Sequence, residues 1–396
     1  MKQACKRLFY THGGRLRRLA VLTSVILAAI LFFSGISVSA EPKAEDTAPE
    51  LGLDCVSAIL MEAQTGRVLY EKNADEPLPP ASVTKIMTLL LVMEAIERGV
   101  FTLDTVLATS TRASQMGGSQ IYLKEGEQMR VDDLIKSVVI ASANDAAVVL
   151  AEAVAGSEEA FVAEMNKRAT ELGMKTAHFE NTNGLDDTVT NHVLSARDIA
   201  IMSRELIKYE KILEFSSTWM DSVRDGAFGL TNTNRLIRFY RGATGLKTGS
   251  TSKAKFCMSA TAERDGMSLI AVIMAGPNSS AAALLDWGFA NYSLYRYDAG
   301  EDEDIPVLGG VENILHTAHG DFCTVVKKGE EKKVEAQKEL PESVSAPVRK
   351  GDAVGVITFR LDGGELGRID ISAVHGVDKN SFGGLLLRML KRFFLT

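Results

Sequence analysis

The sequence predicts an α+β chain: an antiparallel sheet flanked by helices and carrying a helical subdomain, followed by a small all-β domain. Three observations predict it. Short apolar or β-branched runs stand at both ends of residues 51–300, the segment between them repeats its apolar positions with helical period, and the last third returns to short β-type runs. With 396 residues, 46% of them hydrophobic, the chain buries a full core and has room for two domains.

Residues 1–40 hold Lys2, Lys6, Arg7, Arg15, Arg17 and Arg18 and no acid, then an apolar run over 19–33 and the small residues Val38-Ser39-Ala40. This three-part pattern is that of a secretory signal cleaved before Glu41. An uncleaved anchor is the alternative, but the run falls short of the roughly 20 residues that a span needs. Removing six basic residues takes the formal charge from −7 to −13. So acidic a mature chain argues against nucleic acid as a partner. The polar residues 41–50 read as a linker. After the signal only Cys55, Cys257 and Cys323 remain, too few and too scattered for a disulfide scaffold or a zinc site. The histidines show no His-Glu-x-x-His pattern, His316 and His319 are read as surface residues, and no metal or other cofactor is expected.

Residues 55–61 and 67–70, joined by Glu62-Ala63-Gln64-Thr65-Gly66, read as a hairpin. A second pair lies at 255–262 and 268–275 around Glu263-Arg264-Asp265-Gly266. One sheet closed by strands from both ends of a domain accommodates the two pairs. Helices are expected between them over 131–141, 144–155, 158–172 and 195–207.

The chemistry begins at Pro79-Pro80-Ala81-Ser82-Val83-Thr84-Lys85-Ile86-Met87-Thr88. The prolines hold the approach extended, and the apolar positions from Ile86 to Ile96 recur with helical period, which sets Ser82 in the first turn of a buried helix. A side chain three residues on lies over the same face, so the Lys85 amine reaches the Ser82 hydroxyl and is placed to take its proton. In isolation the same letters describe an N-cap serine beside a solvated lysine. Ser142-Ala143-Asn144 forms the turn between two helices. There the Ser142 hydroxyl is placed to relay a proton to a leaving amine, and the Asn144 amide to hold substrate and steady Lys85. The plain alternative is helix capping. Gly245-Leu246-Lys247-Thr248-Gly249-Ser250-Thr251 precedes the second strand pair and is expected on a strand at the sheet edge. It is no phosphate loop, because Leu246 separates Gly245 from Lys247. Lys247 offers a cation, Thr248 and Ser250 offer hydroxyls for a carboxylate, and Gly249 leaves room for a substrate backbone to pair along the strand.

Taken together, Ser82-x-x-Lys85, Ser142-x-Asn144 and Lys247-Thr248-Gly249 match the three-part signature of serine β-lactamases and penicillin-binding proteins. Within that set the chain closely resembles the low-molecular-mass D-alanyl-D-alanine carboxypeptidases, a group that includes sporulation-type enzymes. The runs Ala141-Ser142-Ala143-Asn144-Asp145-Ala146-Ala147, Asn183-Gly184-Leu185-Asp186 and Ser195-Ala196-Arg197-Asp198 extend the likeness over about residues 50–375. The resemblance implies a β-lactamase/D,D-peptidase-like fold and no cofactor. It implies Ser82 as acyl-ester nucleophile, Lys85 as proton acceptor and Ser142 as proton relay. Asn144, Lys247, Thr248, Gly249 and Ser250 are implied as substrate-binding residues, and the backbone N–H groups of Ser82 and Ser250 as the oxyanion hole. A base at Lys85 needs its amine neutral near pH 7, about three units below its ordinary value of roughly 10.4. One departure stands out: the segment Ala275-Gly276-Pro277-Asn278-Ser279-Ser280-Ala281 lacks the arginine that some family members use for the terminal carboxylate.

The acidic run Glu301-Asp302-Glu303-Asp304 reads as a domain boundary, with the small β domain over 301–376 built on runs at 322–327, 344–348, 353–360 and 369–373. Pro347 limits the second of these to an edge strand. In residues 377–396, Leu385, Leu386, Leu387, Met389, Leu390, Phe393 and Phe394 fill one helical arc and Arg388, Lys391 and Arg392 the other, with Leu395 the exception. This basic amphipathic helix fits the surface of an anionic membrane. The expected function is that of an exported carboxypeptidase at the outer face of the cytoplasmic membrane. It trims peptidoglycan stem peptides ending in D-Ala-D-Ala and is inhibited by β-lactams. The alternatives are a serine β-lactamase, for which no glutamate base is evident, and a non-catalytic penicillin-binding scaffold.

Overall fold

Strands from the two ends of the segment 51–300 meet in one sheet. In the computed structural model, which describes residues 50–187 and 189–394, β1 (Ser57–Glu62) pairs antiparallel with β2 (Val68–Lys72), and β3 (Ala243–Thr251), β4 (Lys255–Arg264) and β5 (Met267–Met274) form an antiparallel run. β1 also pairs with β5, which gives the order β2-β1-β5-β4-β3 and leaves β3 at an edge. The expected signal and all but the last residue of the expected linker lie outside the described residues.

Every residue of β1 is buried, because both faces of the sheet are covered. On one face lie α1 (Lys85–Glu97), α2 (Val131–Ala141), α3 (Asn144–Ala155), α4 (Glu158–Glu171) and α5 (Ala196–Leu206), and on the other α6 (Asn278–Asn291). Side-chain alternation divides the core between them. Ile59, Met61, Ile270, Val272 and Met274 join the core of the helical subdomain. Ala58, Leu60, Leu269, Ala271 and Ile273 pack with Leu284, Leu285 and Phe289 of α6. α1 is apolar around nearly its whole circumference, and so becomes the central helix of the subdomain.

The start of α1 differs from expectation. Ser82 lies in a 3₁₀ turn, Ala81–Thr84, that leads into the α-helix, and Pro80 already has helical dihedrals rather than extended ones. Ala81 takes φ +50°, a left-handed conformation unusual for a residue with a Cβ. Side chains cap two of the later helices: Ser157 accepts from the Ala160 N–H at α4, and Ser195 and Asp198 close a reciprocal capping box on α5.

The acidic run does not open the β region. β6 (Tyr292–Tyr297) follows α6 directly, upstream of β7 (Ile305–Leu308) and β8 (Ile314–Leu315), and pairs with β9 (Phe322–Lys327). The side chain of Asp302 is fully buried and ion-paired with Lys338, so charge there marks a packed pair rather than a solvated linker. His319 is likewise packed, against Tyr297, while His316 meets Asp304 at the surface. The long hairpin β10 (Ala353–Leu361) and β11 (Gly364–Ala373) forms the middle of a second five-stranded sheet, with Phe322 stacked on Phe359 at 4.0 Å. Val344–Ser345 is a short edge strand beside β7.

The last helix is α7 (Phe382–Phe394), on which Phe382, Leu386, Leu387, Met389, Leu390, Phe393 and Phe394 are exposed. The side chains of Leu385, Arg388, Lys391 and Arg392, and residues 395–396, lie outside the described set. No helix among the described residues is long and apolar enough to cross a membrane.

Candidate active site

The turn that carries Ser82 is held from behind. Thr84 Oγ1 donates to the Ala81 carbonyl at 2.8 Å and lies 2.9 Å from His192 Nε2. The other ring nitrogen of His192 accepts from the Glu180 N–H at 3.1 Å, so the Nε2 proton points at Thr84. Burial keeps that imidazole neutral, down to about 4. Gly184 presses on the same turn. At φ +81°, a Cβ there would fall 1.8 Å from the Ala81 carbonyl oxygen, a position only glycine can occupy.

Ser82 is half-buried and its Oγ lies 2.9 Å from the Lys85 Nζ. The amine is wholly buried and donates to the Asn183 carbonyl at 2.8 Å. Asparagine side chains knit the loop that presents this carbonyl: Asn181 Oδ1 accepts from the Gly184 N–H and Asn183 Oδ1 from the Leu185 N–H. Asn144 was expected to steady Lys85. The structure assigns that hold to the Asn183 carbonyl, while the Asn144 amide donates to the Gly117 carbonyl at 2.6 Å. Its Oδ1 is buried without a partner.

Ser142 ends α2 in the left-handed region, φ 60° and ψ 31°, where glycine or asparagine is the usual cap. Its Oγ accepts from Lys247 Nζ at 2.9 Å, and the same amine donates to the Thr248 carbonyl. Thr248 Oγ1 donates to Thr233 Oγ1 at 2.8 Å, and Ser250 is exposed one step along the strand. β3 joins the two halves of the site. Lys247 holds Ser142, and two residues on a Cβ at Gly249 would come 2.6 Å from the Ser82 nitrogen. The strand is therefore packed directly on the turn of Ser82, and Gly249 permits that approach.

Two buried amines in one site cannot both stay charged at low cost. Burial pushes Lys85 well below the ordinary lysine value, the Lys247 charge pushes it further, and the Asp145 carboxylate offsets part of the shift. Burial takes Lys247 down to about 7. The arrangement thus offers a serine beside an amine that is free to accept a proton, and a second serine beside an amine that titrates near neutrality.

The structure joins Ser82 to Lys85 and Ser142 to Lys247 and packs Gly249 on the turn of Ser82, with Thr248 and Ser250 beside them on β3 and Asn144 two residues after Ser142. Sequence reasoning missed Asn183 and Gly184 as the partners of Lys85 and Ala81, although their run was conspicuous. It also missed His192, Thr233 and Asp145. The Asp145 carboxylate accepts the N–H groups of Ile121 and Leu123, and so ties the loop after Ser119 to α3.

This is the fold and site of a penicillin-binding type serine peptidase. Residues 43–278 match the family of D-alanyl-D-alanine carboxypeptidases, and residues 291–379 match the C-terminal domain of penicillin-binding protein 5. The D-alanyl-D-alanine carboxypeptidase DacF of Bacillus subtilis is 39% identical over 93% of this chain and 97% of its own. DacC of Escherichia coli is 31% identical over 86% and 88%. Among solved structures, penicillin-binding protein 5 of Haemophilus influenzae superimposes with a TM-score of 0.71 at 29% identity, over 83% of this chain and 98% of that one. The ampicillin-bound penicillin-binding protein D2 of Listeria monocytogenes gives 0.55 at 32% identity, over 61% and 100%. The chain belongs to the D-alanyl-D-alanine carboxypeptidase family, as a serine-type peptidase.

Proposed function

We propose that this peptidase is exported and removes the terminal D-alanine from peptidoglycan stem peptides through an acyl-enzyme on Ser82. The observation that carries the proposal is the 2.9 Å approach of Ser82 Oγ to an amine that is fully buried and beside a second buried amine. Ser82 Oγ attacks the carbonyl of the penultimate D-alanine and passes its proton to neutral Lys85. The backbone N–H groups of Ser82 and Ser250 take the oxyanion. The Ser142 hydroxyl, held by Lys247, gives its proton to the departing amine of D-alanine and regains one from Lys85, which is then neutral again. Water attacks the ester, giving its proton to Lys85, and Lys85 returns that proton to Ser82 Oγ as the ester C–O bond breaks.

Lys247, Thr248 and Ser250 receive the substrate carboxylate, and Gly249 lets the substrate backbone pair along the edge of β3. The unpartnered Oδ1 of Asn144 supports a role in accepting an N–H of the substrate amide. A β-lactam places its carbonyl where the peptide carbonyl lies, so penicillin is expected to acylate Ser82. The signal-like residues 1–40 and the exposed apolar side chains of α7 support a site of action at the outer face of the cytoplasmic membrane.

Incubation with a stem peptide ending in D-Ala-D-Ala and with labelled penicillin tests the reading. Free D-alanine with a slowly cleared adduct is expected, and Ser82→Ala abolishes both. Rapid penicillin hydrolysis without D-alanine release marks a β-lactamase instead, and the absence of both reactions marks a scaffold.

A further inference from the structure

Exposed large apolar side chains are scarce on the C-terminal β region, yet three of them lie in one hairpin. Leu308, Val311 and Ile314 of the β7–β8 hairpin are 58%, 41% and 51% exposed, and Val374, at 44%, is bonded beside it through its N–H to the His316 carbonyl. The hairpin is fastened to the segment that leads into α7. The Val311 N–H donates to the Asp378 carbonyl at 2.9 Å, the Asn380 N–H to the Gly309 carbonyl at 2.8 Å, and the Asn380 side-chain amide to the Gly310 carbonyl. Phe382, the first residue of α7 and 86% exposed, follows two residues later.

We propose that the β7–β8 hairpin is a second lipid-contacting element, which enters the headgroup region beside α7. The inference rests on the reading that α7 lies on a membrane. Continuity with a basic amphipathic helix selects the occupant: a surface apolar enough for Leu308 and Ile314 and anionic enough for Arg388, Lys391 and Arg392 is a lipid interface. The charges around the hairpin agree. Exposed Arg349 and Lys350 follow Val348, which pairs with Val377, and Lys379 bridges to Gly310. The nearby acids are Glu312, 3.2 Å from His375, Asp304, 2.7 Å from His316, Asp352, which accepts the Arg349 N–H, and Asp378. Two adjacent elements also give the protein two lines of contact with the surface, which fixes its orientation more narrowly than α7 alone.

The test is co-sedimentation of the processed full-length protein with vesicles of mixed phosphatidylglycerol and phosphatidylethanolamine. The combined change Leu308→Ser and Ile314→Ser is expected to weaken partitioning about tenfold, since two apolar side chains no longer enter the interface. D-alanine release and the thermal midpoint stay unchanged, because both residues are exposed and far along the chain from Ser82. Independently, Leu308→Trp is expected to show a blue shift of its emission on vesicle addition. Wild-type partitioning by the double variant, with no shift at Leu308→Trp, overturns the hairpin's role while removal of residues 380–396 still tests α7. A change of sedimentation coefficient without vesicles, again with no emission shift, assigns the patch to a second copy of the chain and overturns the proposal. Failure of the wild-type protein to bind vesicles overturns this inference and the helix reading together.

Discussion

The Lys247 amine lies 2.9 Å from the hydroxyl of Ser142, a residue 105 positions earlier in the chain. One bond thus ties the edge strand to the end of α2, and β3 in turn packs Gly249 against the turn of Ser82. The distant parts of the site share this strand as their common support.

Ser142→Gly separates capping from catalysis. The left-handed backbone at Ser142 suits glycine, so the variant is expected to unfold within about 1 kcal/mol of wild type in urea. Loss of the hydroxyl is expected to lower kcat for D-alanine release by roughly 10²- to 10⁴-fold. Full activity in a well-folded Ser142→Gly protein removes Ser142 from the mechanism.

Gly249→Ala inserts a methyl group 2.6 Å from the Ser82 nitrogen and 2.9 Å from that of Val83. Backbone rather than a pliable side chain meets it, so β3 must move away from the nucleophile. A stability loss of about 1–3 kcal/mol and a large fall in the rate of labelled-penicillin adduct formation are expected.

Acylation should depend on pH through both amines. As the proposed base, Lys85 must be neutral to act, so kcat/KM is expected to rise as pH increases through its depressed pKa. In the proposed role of Lys247 the amine attracts the substrate carboxylate only when charged, so binding is expected to weaken above about 7. The expected profile of kcat/KM is a bell whose alkaline limb is lost in Lys247→Gln, with a lower maximum.

His192 gives a separate signature in stability. Its folded pKa of about 4 lies below the unfolded value of 6.5, so between these limits the unfolded chain binds the extra proton and stability falls as pH falls. About 3 kcal/mol is expected to disappear from pH 6.5 to 4, at roughly 1.4 kcal/mol per unit. His192→Gln should flatten that part of the urea-midpoint profile.

Removal of residues 380–396 is expected to move the protein from the membrane to the soluble fraction while leaving D-alanine release intact. Unchanged membrane association after truncation would refute the anchor.

Much of this was legible from the letters alone. Short apolar or β-branched runs marked the sheet strands, which are covered on both faces, and helical periodicity marked the helices 131–141 and 144–155. Ser82, Lys85, Ser142 and Lys247 stood out because three short patterns occurred together in order. The carbonyl of Asn183 left no such trace, since every residue type has one, and what matters is the loop that aims it. The acidic run at 301–304 misled for a related reason: Asp302 is charged but paired, and a sequence does not show partners.

By itself the sequence determined which residues have the right chemistry, a hydroxyl three positions before an amine on a helix and a glycine where a strand must be bare. Tertiary structure decided which amine is driven toward the neutral form, which hydroxyl each one holds, and that the apolar side chains described on α7 stay uncovered. These depend on burial and on distances between segments far apart in the chain. The chain's local periodicity records which face a residue presents, but not what that face meets.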